Sequence, residues 1–177
     1  MRRIALLIAG IALAAGPTIA APAEDFPKRK SGLWEIRTAS TSAGKAGAQS
    51  GAATVQMCID AGTDNAVQQQ TAGMVKQNCF RQDIKRTGGQ IVVDSVCKLG
   101  DITATTHAVF TGSFDSNYKV DTRSTYDPPM LGMKEGNAGI DARWLGSCKP
   151  DQRPGDMILG NGMKININDV AGAPARQ

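Results

Sequence analysis

The sequence predicts a mainly β domain: a single antiparallel meander sheet, strongly curved or partly closed into a barrel, with one short helix near 62–76. Two observations lead to this prediction. Beyond residue 30, apolar and polar residues alternate in many short segments, which is typical of strands with one buried face. The links between these segments are short and rich in turn-forming residues. Short links favour antiparallel neighbours, because parallel strands need a long crossover.

Seven segments carry the strand pattern. In DITATTHAVFTG, every second residue from Ile102 to Phe110 falls on one face, and His107 falls on the other face among threonines. The segments NYKVDTRSTYD and GIDARWLG alternate in the same way. Such alternation, with β-branched and aromatic residues, indicates half-buried strands. In chain order, the predicted strands are 33–40, 53–59, 79–86, 90–98, 102–110, 118–126 and 140–144.

The helix and the longer links follow from local composition. Residues 62–76 are the one segment with a helical pattern; Thr63 or Asp64 can serve as its N-cap. Residues 42–53, SAGKAGAQSGAA, are rich in Gly, Ala and Ser and predict a flexible loop. Residues 127–137, DPPMLGMKEGN, predict another link between strands.

The segment NCFRQDIKRTGGQIVVDSVCK predicts a hairpin. A two-residue Gly-Gly loop would place Asp83 directly opposite Asp94, and like charges in that position are unfavourable. A three-residue loop, 87–89, avoids this pairing and places Cys79 opposite Cys97. Directly opposed residues lie close enough for a disulfide. We therefore expect the three-residue loop and a disulfide across the hairpin.

The first residues have the pattern of a secretory signal peptide. Two arginines precede an apolar run over 4–15, and the small residues Ala21-Pro22-Ala23 form a cleavage pattern. We expect cleavage after Ala23, with Ala20/Ala21 as a second possible cut. The mature chain would then be one domain over 24–177, with an irregular C-terminal tail from about residue 149. Export to the periplasm is the expected location.

Four cysteines, an even number, in an exported chain predict a disulfide framework. If Cys79 bonds Cys97, then Cys58 and Cys148 are left to pair, and we favour this connectivity. Four cysteines allow three connectivities. The main alternative, Cys58–Cys79 with Cys97–Cys148, therefore stays open at this point.

Charge and length limit the partners. The chain has 20 basic and 16 acidic residues, but Arg2 and Arg3 would leave with the signal peptide, so 18 basic residues would remain against 16 acidic ones. The basic residues are scattered among acidic ones, and we expect no binding to nucleic acid. No apolar run in the mature chain approaches the roughly 20 residues that a transmembrane helix needs.

Motifs for catalysis and cofactor binding are absent from the sequence. There is no C-x-x-C, and His107 is the only histidine that a nucleophile could use, so we expect neither an enzyme nor a cofactor. Thioethers can bind Cu(I), which makes the methionines a weak candidate metal site. Packing in the core is the simpler role, because Met fills irregular gaps. The candidate residues are Met130, Met133, Met157 and Met163.

Several short motifs, taken in order, are similar to those of a known family. SGLWEIRT begins the domain, MCID follows the second strand, the hairpin carries NC...GG...VC, and RWLGSCKP lies near the end. Together, from about residue 31 to 165, they resemble an exported bacterial family known as domain of unknown function 3617. The segment CKPDQRPGDMILGNGMKI resembles one of its subgroups. The resemblance implies export, one small domain and paired cysteines, but no catalytic residues.

We therefore expect an exported periplasmic protein that acts without catalysis, as a disulfide-stapled binding or structural module of the cell envelope. A protein partner or a small apolar ligand, held by the curved sheet, is the expected occupant. The alternative is a copper-handling or other metal-handling protein that uses the methionines.

Overall fold

The computed structural model describes residues 26–44 and 47–171. The predicted signal peptide and its cleavage site after Ala23 lie outside these residues. The described chain forms nine strands and two helices. They are β1 (Gly32–Gly44), β2 (Gly47–Ile59), α1 (Ala61–Asn78), β3 (Cys79–Thr87), β4 (Gln90–Leu99), β5 (Ile102–Ser113), β6 (Asn117–Met130), β7 (Met133–Gly146), β8 (Asp156–Ile158), β9 (Lys164–Asn166) and α2 (Ile167–Ala171).

All nine strands belong to one antiparallel sheet, in the order β3-β4-β5-β6-β7-β1-β2-β8-β9. The strands from β3 to β7 form a meander, and β1 returns to pair with β7. Among the described residues β3 and β9 are the outer strands, so the sheet is not closed. The predicted mainly β fold, with one antiparallel sheet and a short helix, is confirmed.

The two faces of the sheet differ in character. One, here called the core face, carries the buried apolar cluster of Trp34, Met57, Ile59, Ala108, Tyr118, Val120 and Ala142. The other, here called the polar face, carries residues that alternate with these along each strand, many of them charged. Lys119, Asp121, Arg123, Asp141 and Arg143 are exposed examples. The alternation in the sequence thus corresponds to one buried and one solvated face.

The segment 26–31 lies over the core face and holds its two tryptophans. Trp34 is fully buried, and its Nε1 donates a hydrogen bond of 2.8 Å to the carbonyl oxygen of Lys30. Trp144 Nε1 donates to the carbonyl oxygen of Ser31 at 3.1 Å, and the Lys30 ammonium lies 3.8 Å from the Trp144 ring centroid. Both indole N–H groups are therefore satisfied without polar side chains in the core.

The same segment holds the start of α1. Arg29 Nε lies 2.7 Å from Asp64 Oδ1, and the Arg29 amide donates to Asp64 Oδ2 at 3.0 Å. Asp64 is almost completely buried, so this double contact satisfies a carboxylate that would otherwise be costly to bury. The predicted N-cap, Thr63 or Asp64, is wrong. Asp60, the residue after β2, is the N-cap and accepts from the Thr63 amide at 2.7 Å.

The hairpin between β3 and β4 has a two-residue loop, which corrects the predicted three-residue loop. Gly88 and Gly89 have φ angles of +60° and +79°, and Thr87 pairs with Gln90. Two consecutive residues with positive φ match the right-handed twist of the flanking strands, and glycine adopts them without a steric cost.

This register places Asp83 opposite Asp94, a like-charge pair that was expected to be unfavourable. Each carboxylate has a cation or a donor of its own. Lys85 Nζ lies 3.1 Å from Asp83 Oδ2, and His107 Nδ1 lies 2.7 Å from Asp94 Oδ1. These neighbours on β3 and β5 offset the repulsion between the two carboxylates.

A register shift at Phe80 brings Cys79 opposite Cys97 despite the shorter loop. The extra residue leaves the Phe80 side chain 67% exposed. A β-bulge shifts the pairing by one residue, so the two sulfurs meet in a register that the loop alone would not allow.

Two predicted loops are parts of long hairpins. Residues 42–53 were expected to be flexible, but β1 and β2 stay paired as far as Gly44 and Gly47. Residues 127–137 lie largely in β6 and β7, which meet at the short turn Leu131-Gly132. Pairing with a neighbouring strand supplies the backbone hydrogen bonds, so small and turn-forming residues remain in strands there.

The segment after Cys148 contains short elements. β8 pairs with β2 at Gln56 and Met57, and β9 pairs with β8. Both strands are three residues long, and α2 has five residues. This segment therefore adds two short strands to the outer side of β2, and only beside its C-terminal end.

The structure contains two disulfides, Cys58–Cys148 and Cys79–Cys97. They are the two pairs that the sequence favoured. Cys58 lies at the end of β2, opposite Leu33 of β1, and Cys148 follows the end of β7. This bond therefore joins the two neighbours of β1, whereas Cys79–Cys97 joins β3 to β4.

We predict that the Cys58–Cys148 bond stabilises the fold more than the Cys79–Cys97 bond. The bonded cysteines are 90 and 18 residues apart in the sequence. In the chain-entropy model the longer loop is worth roughly 1–2 kcal/mol more. Urea unfolding of Cys58→Ala/Cys148→Ala and Cys79→Ala/Cys97→Ala variants measures the two losses. An equal or larger loss for the second variant contradicts the prediction.

Candidate functional site

A groove of about 410 Å³ crosses the polar face over β5, β6, β7 and β1. Strand register explains which side chains meet there. One cross-strand row runs through His107, Arg123, Asn137 and Thr41, each opposite the next. These four side chains are exposed and polar, and they form one wall of the groove.

The neighbouring row runs through Val109, Asp121, Gly139 and Ala39. Gly139 and Ala39 are adjacent and have little or no side chain, so the surface is lowest there. A Cβ atom built on Gly139 would lie 3.9 Å from its closest neighbour, Asp121 Oδ1. The groove therefore exists because two small residues face each other between β7 and β1.

Two groups of the groove, His107 and Arg123, are each bonded to a neighbouring strand. His107 Nδ1 contacts Asp94 Oδ1 on β4 at 2.7 Å, and Arg123 Nη2 contacts Glu135 Oε2 on β7 at 3.1 Å. The hydrogen bond from His107 is the main reason that the pKa of Asp94 lies below its ordinary value. Because Nδ1 is used in this way, any hydrogen bond between His107 and a ligand must involve Nε2.

A second cavity, of about 510 Å³, lies in the segment after Cys148. Asp156 lines this cavity and is almost completely buried. Its carboxylate accepts hydrogen bonds from Asn166 Nδ2 at 2.8 Å and the Arg153 amide at 3.0 Å, and it lies 2.9 Å from Lys164 Nζ. These contacts, the bond from Asn166 first, hold the pKa of Asp156 far below its usual range.

Most of the charges around this second cavity form ion pairs with one another. Lys164 contacts Asp156, and the Arg153 guanidinium forms an ion pair with Asp169. The contacts hold β8, β9 and α2 together, in a part of the chain whose buried side chains, Asp156 and Asn166, are both polar. We therefore assign this cluster a structural role and take the groove as the candidate site.

The structure separates the four candidate methionines. Met130 and Met133 oppose each other beside the β6–β7 turn. Met157 pairs with Met57 and packs against the core cluster, and Met163 is 51% exposed in the link between β8 and β9. Only the first two come together. Among the described residues, no group of three or more His, Cys, Asp or Glu side chains could hold a metal ion.

Comparison with known proteins gives one match. Residues 29–148 match the family model described as Protein of unknown function (DUF3617). The chain belongs to the DUF3617 family. No curated protein and no solved structure matches it. The groove lies wholly within the part that matches the DUF3617 model, whereas the cavity around Asp156 lies after it.

Two further findings concern the surroundings of this DUF3617 domain. Its two disulfides indicate an oxidising compartment, because such bonds are rare where thiols are kept reduced. None of the helices in the described residues is long and apolar enough to cross a membrane.

The sequence predicted the position of His107 on a polar strand face, but it did not predict the groove. Its other walls come from β6, β7 and β1, and β1 is far from the others in sequence. The sequence feature that could have indicated the groove is the pair of small residues, Gly139 and Ala39. It has meaning only once the register between β1 and β7 is known.

We predict that Asp156 makes the stability of the protein depend on pH in acid. Its folded pKa is lower than the ordinary value of about 3.9. Its carboxylate therefore stabilises the fold above about pH 4, and this contribution is lost as the pH falls toward the folded pKa. Asp156→Asn should be less stable than wild type at pH 7, with a smaller difference below pH 4.

Urea unfolding at a series of pH values measures this difference. Asp115→Asn, in the exposed turn between β5 and β6, is the matched control and should show little difference at any pH. A gap between Asp156→Asn and wild type that stays constant down to pH 3 contradicts the assignment.

Proposed function

We propose that the protein is an exported, non-enzymatic binding module of the periplasm, and that the groove on the polar face is its ligand site. The observation that carries the proposal is the groove itself: a depression over small residues, lined with polar side chains, on the sheet face that no described element covers. Ligand sites typically combine such a concave, partly apolar surface with a few placed polar groups.

The proposed location rests on two independent features. The first residues have the pattern of a cleavable signal peptide. The two disulfides fit a compartment in which cysteines are oxidised. Within a bacterial cell envelope, the periplasm meets both conditions.

Binding fits the groove better than catalysis. The side chains of His107 and Asp94 are 55% and 46% exposed, so this His–Asp pair is in contact with water. Catalytic groups act most strongly in sites that exclude water, where preorganised dipoles face the reacting atoms. An exposed pair on a sheet surface supplies hydrogen bonds for recognition without that environment.

The lining suggests the ligand class. Val109 and Ala39 give the groove an apolar floor, whereas Asp121, Arg123 and His107 surround it with charged or polar groups. A small molecule with a narrow apolar body and at least one polar group matches this lining. We therefore narrow the expected small apolar ligand to one that also carries a polar group, because a purely apolar molecule would remove those side chains from water without a hydrogen bond in return.

Filling the groove is the direct test. Gly139→Leu adds a side chain where a Cβ meets nothing closer than 3.9 Å, so the fold should be kept while the groove is occupied. Protein secreted with its own leader should retain an organic ligand in native mass spectrometry. The Gly139→Leu variant should lose it, with at least tenfold less bound mass.

Thr125→Leu is the matched control, because Thr125 is exposed on the same face of β6 but lies outside the groove. Its ligand content should equal that of wild type. Equal retention by all three proteins would show that the ligand lies elsewhere. A retained copper ion would favour the methionine-based alternative.

A further inference from the structure

Among the residues that the structure describes, nothing pairs with the outer edge of β2 along most of its length. On one side β2 pairs with β1 from Gly47 to Ile59. On the other side β8 pairs only with Gln56 and Met57. In the part of the chain that the structure describes, no strand pairs with this side of β2 from Gly47 to Val55.

The direction of the free backbone groups follows from one hydrogen bond. The Cys58 carbonyl oxygen accepts from the Gly155 amide at 2.9 Å, on the side away from β1. In a strand, the backbone groups of every second residue point to the same side. The N–H and C=O groups of Ser50, Ala52 and Thr54 therefore point outward. Gly160 lies against the Thr54 carbonyl oxygen, which leaves Ser50 and Ala52 as the open positions.

This edge lacks the devices that normally prevent strand pairing. The segment from Gly47 to Val55 contains no charged residue and no proline, and residues 50–54 are exposed. The opposite outer strand, β3, carries Arg81, Asp83 and Lys85. Folded proteins protect free edges with charges, prolines or bulges, so an unprotected edge of this length indicates a pairing surface.

We propose that a second copy of this chain pairs with β2, antiparallel, about a twofold axis near Ser50 and Ala52. The two nine-stranded sheets then become one continuous sheet. A second copy is the occupant that fits, because the same outward N–H and C=O groups meet in both strands and exchange hydrogen bonds. No like charges oppose each other in this pairing, and the side chains of Ser50, Gly51 and Ala52 are small enough for close approach.

The symmetry has a geometric consequence. A twofold axis between antiparallel strands of one sheet is perpendicular to that sheet, so the polar faces of both copies lie on the same side. The two β1 strands are then three strand spacings apart, roughly 14 Å. The dimer therefore presents one broad polar face.

The test is the association state of the disulfide-bonded, secreted protein, measured by sedimentation equilibrium. Wild type should form a dimer. Ala52→Pro removes an outward N–H that β1 does not use, and proline is tolerated on an edge of this kind. Each dimer loses two such donors by symmetry. The dissociation constant should therefore rise by roughly tenfold or more.

Ala52→Thr is the matched control, because it keeps the N–H and should dimerise like wild type. A second pair of variants does not depend on proline. Ser50→Lys and Ser50→Glu should each weaken the dimer by placing like charges across the axis, and their mixture should restore a heterodimer.

A wild-type protein that stays monomeric at the highest concentration measured would overturn the proposal. This holds also if a different protein were found to pair with this edge. Equal dissociation constants for Ala52→Pro and Ala52→Thr would overturn it as well. So would a Ser50→Lys and Ser50→Glu mixture that associates no better than either variant alone.

Discussion

The structure depends on β1, the strand that joins the meander to the rest of the sheet. β1 pairs with β2 on one side and with β7 on the other, although β7 lies about 100 residues further along the chain. Its Trp34 is fully buried at the centre of the apolar cluster. The Cys58–Cys148 bond joins the two neighbours of β1 beside Leu33. This strand thus places Trp34 in the core, and one covalent bond links the strands on both sides of it.

The two faces of the sheet have different physical roles because only one of them is covered. Segment 26–31 and the start of α1 close the core face through the Arg29–Asp64 contact and the two indole hydrogen bonds. The polar face has no covering element among the described residues. Its depression at Gly139 and Ala39 is therefore open to a ligand, and β1 supplies part of the floor as well as the core.

Local patterns predicted the strands, and they failed where partners distant in sequence decide the outcome. Alternation from Ile102 to Phe110 was sufficient to identify β5, because a strand with one buried face shows the alternating pattern within its own residues. The hairpin loop was mispredicted because the sequence alone shows neither the contacts of Lys85 and His107 with the two aspartates nor the bulge at Phe80. The composition of residues 42–53 could not show that the segment pairs with a neighbour. The groove was beyond prediction for the same reason, since its shape requires the register of β1 against β7.

Hydrogen exchange, measured by mass spectrometry on the two disulfide variants, tests most directly whether the fold depends on β1 and on the Cys58–Cys148 bond that links its two neighbours. If so, loss of Cys58–Cys148 should speed exchange in β1, which carries Trp34 and Ala39, and in its neighbours β2 and β7. Loss of Cys79–Cys97 should affect mainly β3 and β4. Faster exchange confined to the ends of β2 and β7, with β1 protected as in wild type, would contradict the central role of the Cys58–Cys148 bond.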